Sequence, residues 1–217
     1  MADFLTYLED VTLDLSRQWP DNEAVNIVCH GHSVPSGYFA TPFVDPFHAY
    51  PHLLHRKIKE RFPFAVVNVI VTAIGGENSV EGARRFRQEV LCHRPRVLTL
   101  DYGLNDRPIG LAAAEDAWSR MIEEALAQDV RVILMTPTWD NSYYTQGPDW
   151  QALSAHADQI RRLARRYDVG LADVFSTFEA RVHQPSQLTE LLSHGNHPTA
   201  LGHDLAAGEI AKFFPAR

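Results

Sequence analysis

Four short polar clusters in this chain of 217 residues hold side chains able to carry acyl-transfer chemistry. They are Gly31-His32-Ser33-Val34-Pro35-Ser36-Gly37-Tyr38, Ile74-Gly75-Gly76-Glu77-Asn78-Ser79, Tyr102-Gly103-Leu104-Asn105-Asp106-Arg107 and His194-Gly195-Asn196-His197-Pro198-Thr199. Attack on an ester by a serine needs an exposed hydroxyl on a tight turn and a base within hydrogen-bond reach. It also needs donors for the developing oxyanion and a group that orients the base. Ser33 offers a hydroxyl on a glycine-flanked turn, and His197 is a candidate base. The N–H of Gly76 and the side-chain amide of Asn105 are candidate donors. Taken singly, each cluster has a plainer explanation. Gly-Gly lets a chain turn tightly, Asn105 and Asp106 could cap a helix, and His197-Pro198 could open one.

What makes the four harder to separate is where they fall. Near-continuous, β-branched runs at residues 24–30, 64–72, 96–101, 130–136 and 169–174 read as parallel strands covered on both faces. Helical periodicity lies between them. Leu54, Ile58 and Phe62 form one stripe, Val80, Ala83, Phe86 and Val90 a second, and Leu111 to Ala125 a third. Trp150 to Tyr167 forms a fourth, and Leu201, Leu205 and Phe213 mark a closing helix. A further amphipathic segment, 4–19, precedes the first strand, and 138–150 reads as a long loop. Alternating strands and helices imply right-handed crossovers. The expected fold class is α/β, a three-layer α/β/α sandwich with a five-stranded parallel sheet of the flavodoxin-like kind. Its site would lie at the carboxyl ends of the strands, where three of the clusters sit. The whole of 1–217 is expected to form a single domain.

Composition narrows the partners. Lys plus Arg number 20 against 27 Asp plus Glu, a formal charge of −7, which argues against nucleic acid. No apolar run is long enough for a membrane span, and an acidic first decad is unlike a secretory signal. A cytoplasmic protein is expected, with a small-molecule partner; the oligomeric state is not legible. Two cysteines, Cys29 and Cys92, are too few for a disulfide framework or a cysteine zinc site.

The clusters together resemble the blocks of the SGNH hydrolases, also called the GDSL esterase/lipase family. Its marker residues Ser, Gly, Asn and His match Ser33 in GHSVPSGY, Gly76 in IGGENS, Asn105 in GLND and His197 in HGNHP. The resemblance runs from about residue 24 to the C-terminus, and GLND is its most specific block. It implies the SGNH hydrolase fold and a serine esterase that needs no metal or organic cofactor. The expected substrate is a small acyl group, acetyl for preference, on a carbohydrate.

Two positions depart from the family pattern. His32 stands where an Asp usually precedes the nucleophile, and His194 stands where an acid usually orients the base. A neutral imidazole cannot supply that negative charge. His194, His32 and Asp106 are therefore read as orienting or supporting groups. Asp204 is a candidate replacement acid, and a Ser–His dyad steadied by a backbone carbonyl is the open alternative. Aromatic residues on the expected rim, Tyr38, Trp139 and Tyr143 above all, are candidate substrate contacts. Two rival readings stand beside this one. One is an inactive carbohydrate-binding relative. The other is a hydrolase with histidine-ligated metal, drawing on His30, His32, His52, His55 and His194. The expected metal content is none, because His-x-His has no metal specificity by itself and His52 and His55 fall on a helix beside Lys57 and Lys59.

Overall fold

All five apolar runs become strands of one sheet. In a computed structural model, which describes residues 2–215, they are β1 (Ala24–Gly31), β2 (Val66–Val71), β3 (Val97–Asp101), β4 (Arg131–Met135) and β5 (Gly170–Ala172). Every pairing is parallel and the order is β2-β1-β3-β4-β5. The chain leaves β1 toward one edge and returns on its other side as β3. That reversal opens a crevice beyond the carboxyl ends of these two strands, where ligands bind in folds of this kind. Residues 30–33 and 101–106 are delivered there.

Side-chain alternation distributes the sheet between two cores. Val25, Ile27 and Cys29 of β1 and Val97 of β3 pack toward α1 (Glu9–Ser16), α3 (Tyr50–Arg61) and α9 (Ala200–Ala211). Val28, Leu98 and Leu100 face α4 (Ser79–Glu89), α5 (Gly110–Leu126) and the second half of α6 (Pro148–Arg166). Each aliphatic side chain buried in this way contributes ~1.5–3 kcal/mol relative to exposure. Two-sided burial explains why β1 and β3 read as continuous rather than alternating apolar runs. Among the described residues no helix is long and apolar enough to cross a membrane. Cys29 is buried and Cys92 exposed, both free.

The elements differ from the sequence expectation mostly at their ends. The first helix is shorter than 4–19, because 4–8 form turns ahead of Glu9. The fifth strand stops at Ala172. Asp173 accepts from the Ser176 N–H and caps α7 (Val174–Arg181), so Val174 opens a helix instead of closing a strand. The expected loop 138–150 contains a single turn of 3₁₀-helix, Asn141–Tyr144, and α6 begins inside it at Pro148. Three short elements were not expected: α2 (Ser33–Ser36), α8 (Pro185–Leu191) and a hairpin of β6 (Leu192–His194) and β7 (His197–Pro198). The arginine face of α6 is not wholly solvated either, since Arg161 binds Asp173 at 2.9 Å and ties α6 to the start of α7.

Candidate active site

The turn after β1 is tight because two strands close on it. A Cβ placed on Gly31 would lie 2.4 Å from the Asp101 carbonyl oxygen and 2.9 Å from the Pro35 ring, so only glycine fits. Ser33 follows as the first residue of α2, 6% exposed. At the far end of the chain, the β6–β7 hairpin sets His197 against it. Ser33 Oγ and His197 Nε2 are 3.0 Å apart, across 164 positions of sequence. His197 Nδ1 lies 2.7 Å from the backbone carbonyl of Phe39. A carbonyl oxygen only accepts, so Nδ1 carries the proton and Nε2 turns its lone pair to the serine hydroxyl. This is the tautomer a general base requires. Burial pushes the imidazole below its ordinary pKa; the Phe39 carbonyl opposes that, and the nearby His32 and His194 add to the lowering.

The orienting group is therefore a backbone atom, and each side chain considered for that role lies elsewhere. His194 is exposed on β6, opposite His197 in the hairpin register, and Nδ1 is already occupied. Asp204 binds Lys57 of α3 at 2.8 Å and is half exposed. His32 is buried next to Ser33. Its Nδ1 accepts from the Val34 N–H at 3.2 Å, and its Nε2 stands 3.4 Å from the Asp101 carboxylate. It braces the turn that carries Ser33. Asp106 is fully buried and accepts from the Ser79 N–H at 2.8 Å and the Trp118 indole N–H at 2.7 Å. Burial raises its pKa while those bonds lower it, burial being the larger effect. Asp106 thus pins the end of the β3 block to the start of α4.

The two candidate donors of the neighbouring blocks line one cleft. Gly76 has φ +83°, a left-handed conformation that an L side chain rarely adopts, and it is exposed. The Asn105 amide donates from Nδ2 to the Glu77 carbonyl at 3.0 Å. Both residues line a cleft of about 790 Å³. Most of its other lining residues are polar, including Asn78, Arg107, Asp140, Asn141, Asp149 and Asn196, with Leu104, Pro108 and Ala152 among them. Arg107 and Asp140 pair there at 2.7 Å.

The aromatic candidates separate. The Tyr38 ring lies 5.9 Å from the His197 ring and against Gly75, at the site itself. Trp139 is 3% exposed; it stacks on Tyr143 at 4.7 Å and meets Trp150 and Phe175 edge-on or tilted. It supports the loop after β4 from beneath and offers no surface to a ligand. Tyr143 is half-buried in the same cluster.

The histidines read as rival metal ligands are dispersed. His30 is buried and bound to Thr72 and Tyr102, while His52 and His55 lie on α3. Among the described residues, no group of three or more His, Cys, Asp or Glu side chains is placed to hold a metal ion.

Fold and site together are those of a flavodoxin-like α/β protein with a serine–histidine pair at its switch point. The sequence matches the GDSL-like Lipase/Acylhydrolase family over residues 29–205, and the chain belongs to that family of carboxylic ester hydrolases. No curated protein sequence matches it. Solved structures with the same fold include Axe2, an acetylxylan esterase from Geobacillus stearothermophilus. The two share 16% identity with a TM-score of 0.76, over 89% of this chain and 95% of that one. A lipase/acylhydrolase from Enterococcus faecalis is also similar, at 23% identity and a TM-score of 0.71, over 87% of this chain and 95% of that one.

Proposed function

We propose that this protein hydrolyses short-acyl esters, acetyl for preference, on a polar hydroxylated alcohol such as a carbohydrate, through an acyl-enzyme on Ser33. The observation that carries this reading is the 3.0 Å approach of Ser33 Oγ to a His197 Nε2 whose tautomer is fixed by the Phe39 carbonyl. His197 Nε2 takes the hydroxyl proton as Ser33 Oγ attacks the ester carbonyl. The N–H groups of Ser33 and Gly76 and the Asn105 amide receive the oxyanion. His197 then protonates the leaving alcohol. Water gives a proton to the same nitrogen as its oxygen bonds to the acyl carbon; the C–O bond to Ser33 then breaks, and His197 returns the proton to Oγ as the acid leaves. No metal or organic cofactor takes part in these steps.

A triad acid does two jobs: it fixes the tautomer and it stabilises the imidazolium. The Phe39 carbonyl does the first but carries no full charge for the second. Turnover slower than that of an acid-assisted triad is the expected consequence. The number of hydrogen-bonding side chains in the cleft beside Gly76 and Asn105 supports a hydroxylated alcohol over a lipid. The acetylxylan esterase among the structural relatives agrees with an acetyl group on sugar. Ser33→Ala should lower turnover of p-nitrophenyl acetate by ~10³-fold or more. Wild-type turnover in that variant would sink the reading and leave a carbohydrate-binding relative as the alternative.

A further inference from the structure

Glu77 takes no part in the steps above, yet its carboxylate is heavily braced. Arg85 binds it from two nitrogens, Nε to Oε1 at 2.8 Å and Nη2 to Oε2 at 2.5 Å. The buried Tyr102 hydroxyl donates to Oε2 at 2.9 Å. With its O–H directed at Glu77, the Tyr102 oxygen accepts from His30 Nε2 at 3.0 Å, an N–H shared with the Gly82 carbonyl at 3.3 Å, and His30 Nδ1 accepts from the Thr72 hydroxyl at 2.9 Å. The chain of bonds thus joins β1, the end of β2, the end of β3 and α4. Gly82 of α4 makes room for it, since a Cβ there would fall 2.2 Å from the Tyr102 oxygen. Charge-assisted, two-pronged bonds of this kind fix position more firmly than neutral ones.

The held residue touches the site through its backbone. The Glu77 carbonyl accepts from Asn105 Nδ2 at 3.0 Å. A side-chain amide can present either its NH₂ or its oxygen to the cleft, and only the first helps an oxyanion. An acceptor at the Glu77 carbonyl position selects the NH₂ end, and it leaves the second N–H of that group for the substrate. Gly76, whose left-handed turn immediately precedes Glu77, is anchored by the same brace.

We propose that Glu77 is a positioning residue for the oxyanion pocket: its interior-anchored carboxylate holds the backbone carbonyl that orients the Asn105 amide. This rests on the proposed role of Asn105 as an oxyanion donor.

The test is a double-mutant cycle on the full chain with p-nitrophenyl acetate. Asn105→Ala alone should cost about 10²–10³-fold in kcat, the usual effect of one oxyanion donor. Glu77→Gln should cost ~10–100-fold in kcat, because displacement of a reacting group by about 1 Å has that effect, and leave KM within about 2-fold. The double variant should fall within about 2-fold of Asn105→Ala alone, since Glu77 acts through that residue. A double variant showing the product of the two losses, or Glu77→Gln at wild-type kcat, would overturn the proposal. Tyr102→Phe removes one bond to Glu77 and keeps the buried ring, so it covers the case in which Glu77→Gln does not fold. It should lower kcat several-fold at constant KM, and unchanged kcat would also overturn the proposal. Wild-type turnover in Asn105→Ala would instead remove that residue from the oxyanion role, and this proposal with it, while the Ser33–His197 reading is decided separately by Ser33→Ala.

Discussion

Gly31→Ala places one methyl group at a tight point of the turn that carries Ser33, and its effect can be worked from the geometry. The new Cβ would begin 2.4 Å from the Asp101 carbonyl oxygen and 2.9 Å from Pro35. Ordinary contact starts near 3.4 Å, so β1 and β3 must separate by about 1 Å, or the 31–35 turn must tilt by as much. Neither neighbour is a flexible side-chain tip; one is backbone at the end of a central strand and the other a proline ring. Overpacking of this kind costs ~1–3 kcal/mol of stability. The same displacement acts two residues before Ser33, which must keep its 3.0 Å approach to His197. A misplacement of about 1 Å costs on the order of 10²-fold in rate. The expected result is a kcat for p-nitrophenyl acetate lower by about two orders of magnitude, alongside a lower midpoint in urea. Wild-type values for both would mean that the strand spacing under Ser33 does not set the geometry of the pair.

Two further outcomes concern pH. His197 works as a base only when neutral, and burial lowers its pKa below 6.5, so kcat/KM should rise with pH through a midpoint below 6.5 and be level by neutrality. A midpoint at or above 7 would contradict that environment. Burial also lowers His30 to about 4, helped by Arg85, and His203 to about 3, helped by His197. Both are neutral in the fold and titrate near 6.5 when unfolded, so the unfolded chain binds more protons below that pH. Stability present at neutral pH is therefore lost as pH falls from about 6.5 toward the folded values. Each group removes about 2 kcal/mol by pH 5. Urea unfolding at pH 7.5 and pH 5 should show a clearly lower midpoint in acid, and equal midpoints would refute the burial argument.

The strands and the serine, glycine, asparagine and histidine blocks were legible because they are properties of side-chain type and spacing. Doubly covered strands demand β-branched runs, and the turns at their ends need Gly31 and Gly76 for reasons of space and backbone angle. The partner of His197 was not legible as a residue type. The Phe39 carbonyl is an atom every residue possesses, and a loop must fold back before it can act. The fifth strand was overextended for a local reason: Asp173-Val174 suits a strand end as well as a helix start, and only the Ser176 N–H on the Asp173 carboxylate decides between them. Trp139 illustrates the opposite error. An aromatic residue after a strand looks like a substrate contact, yet the loop folds over it and uses the ring as its own core. Glu77 and Asp106, read together, resemble a catalytic carboxylate pair. Separate partners, Arg85 and Tyr102 for one, Ser79 and Trp118 for the other, make each a brace.

The most direct measurement is intact mass after exposure to a serine-directed alkyl phosphonate, with the adduct mapped by peptide sequencing. A single increment on Ser33, absent in Ser33→Ala and formed far more slowly in His197→Ala, is the predicted result. A chain that stays unmodified, or that carries the adduct on another serine, would contradict the activation of Ser33 by His197.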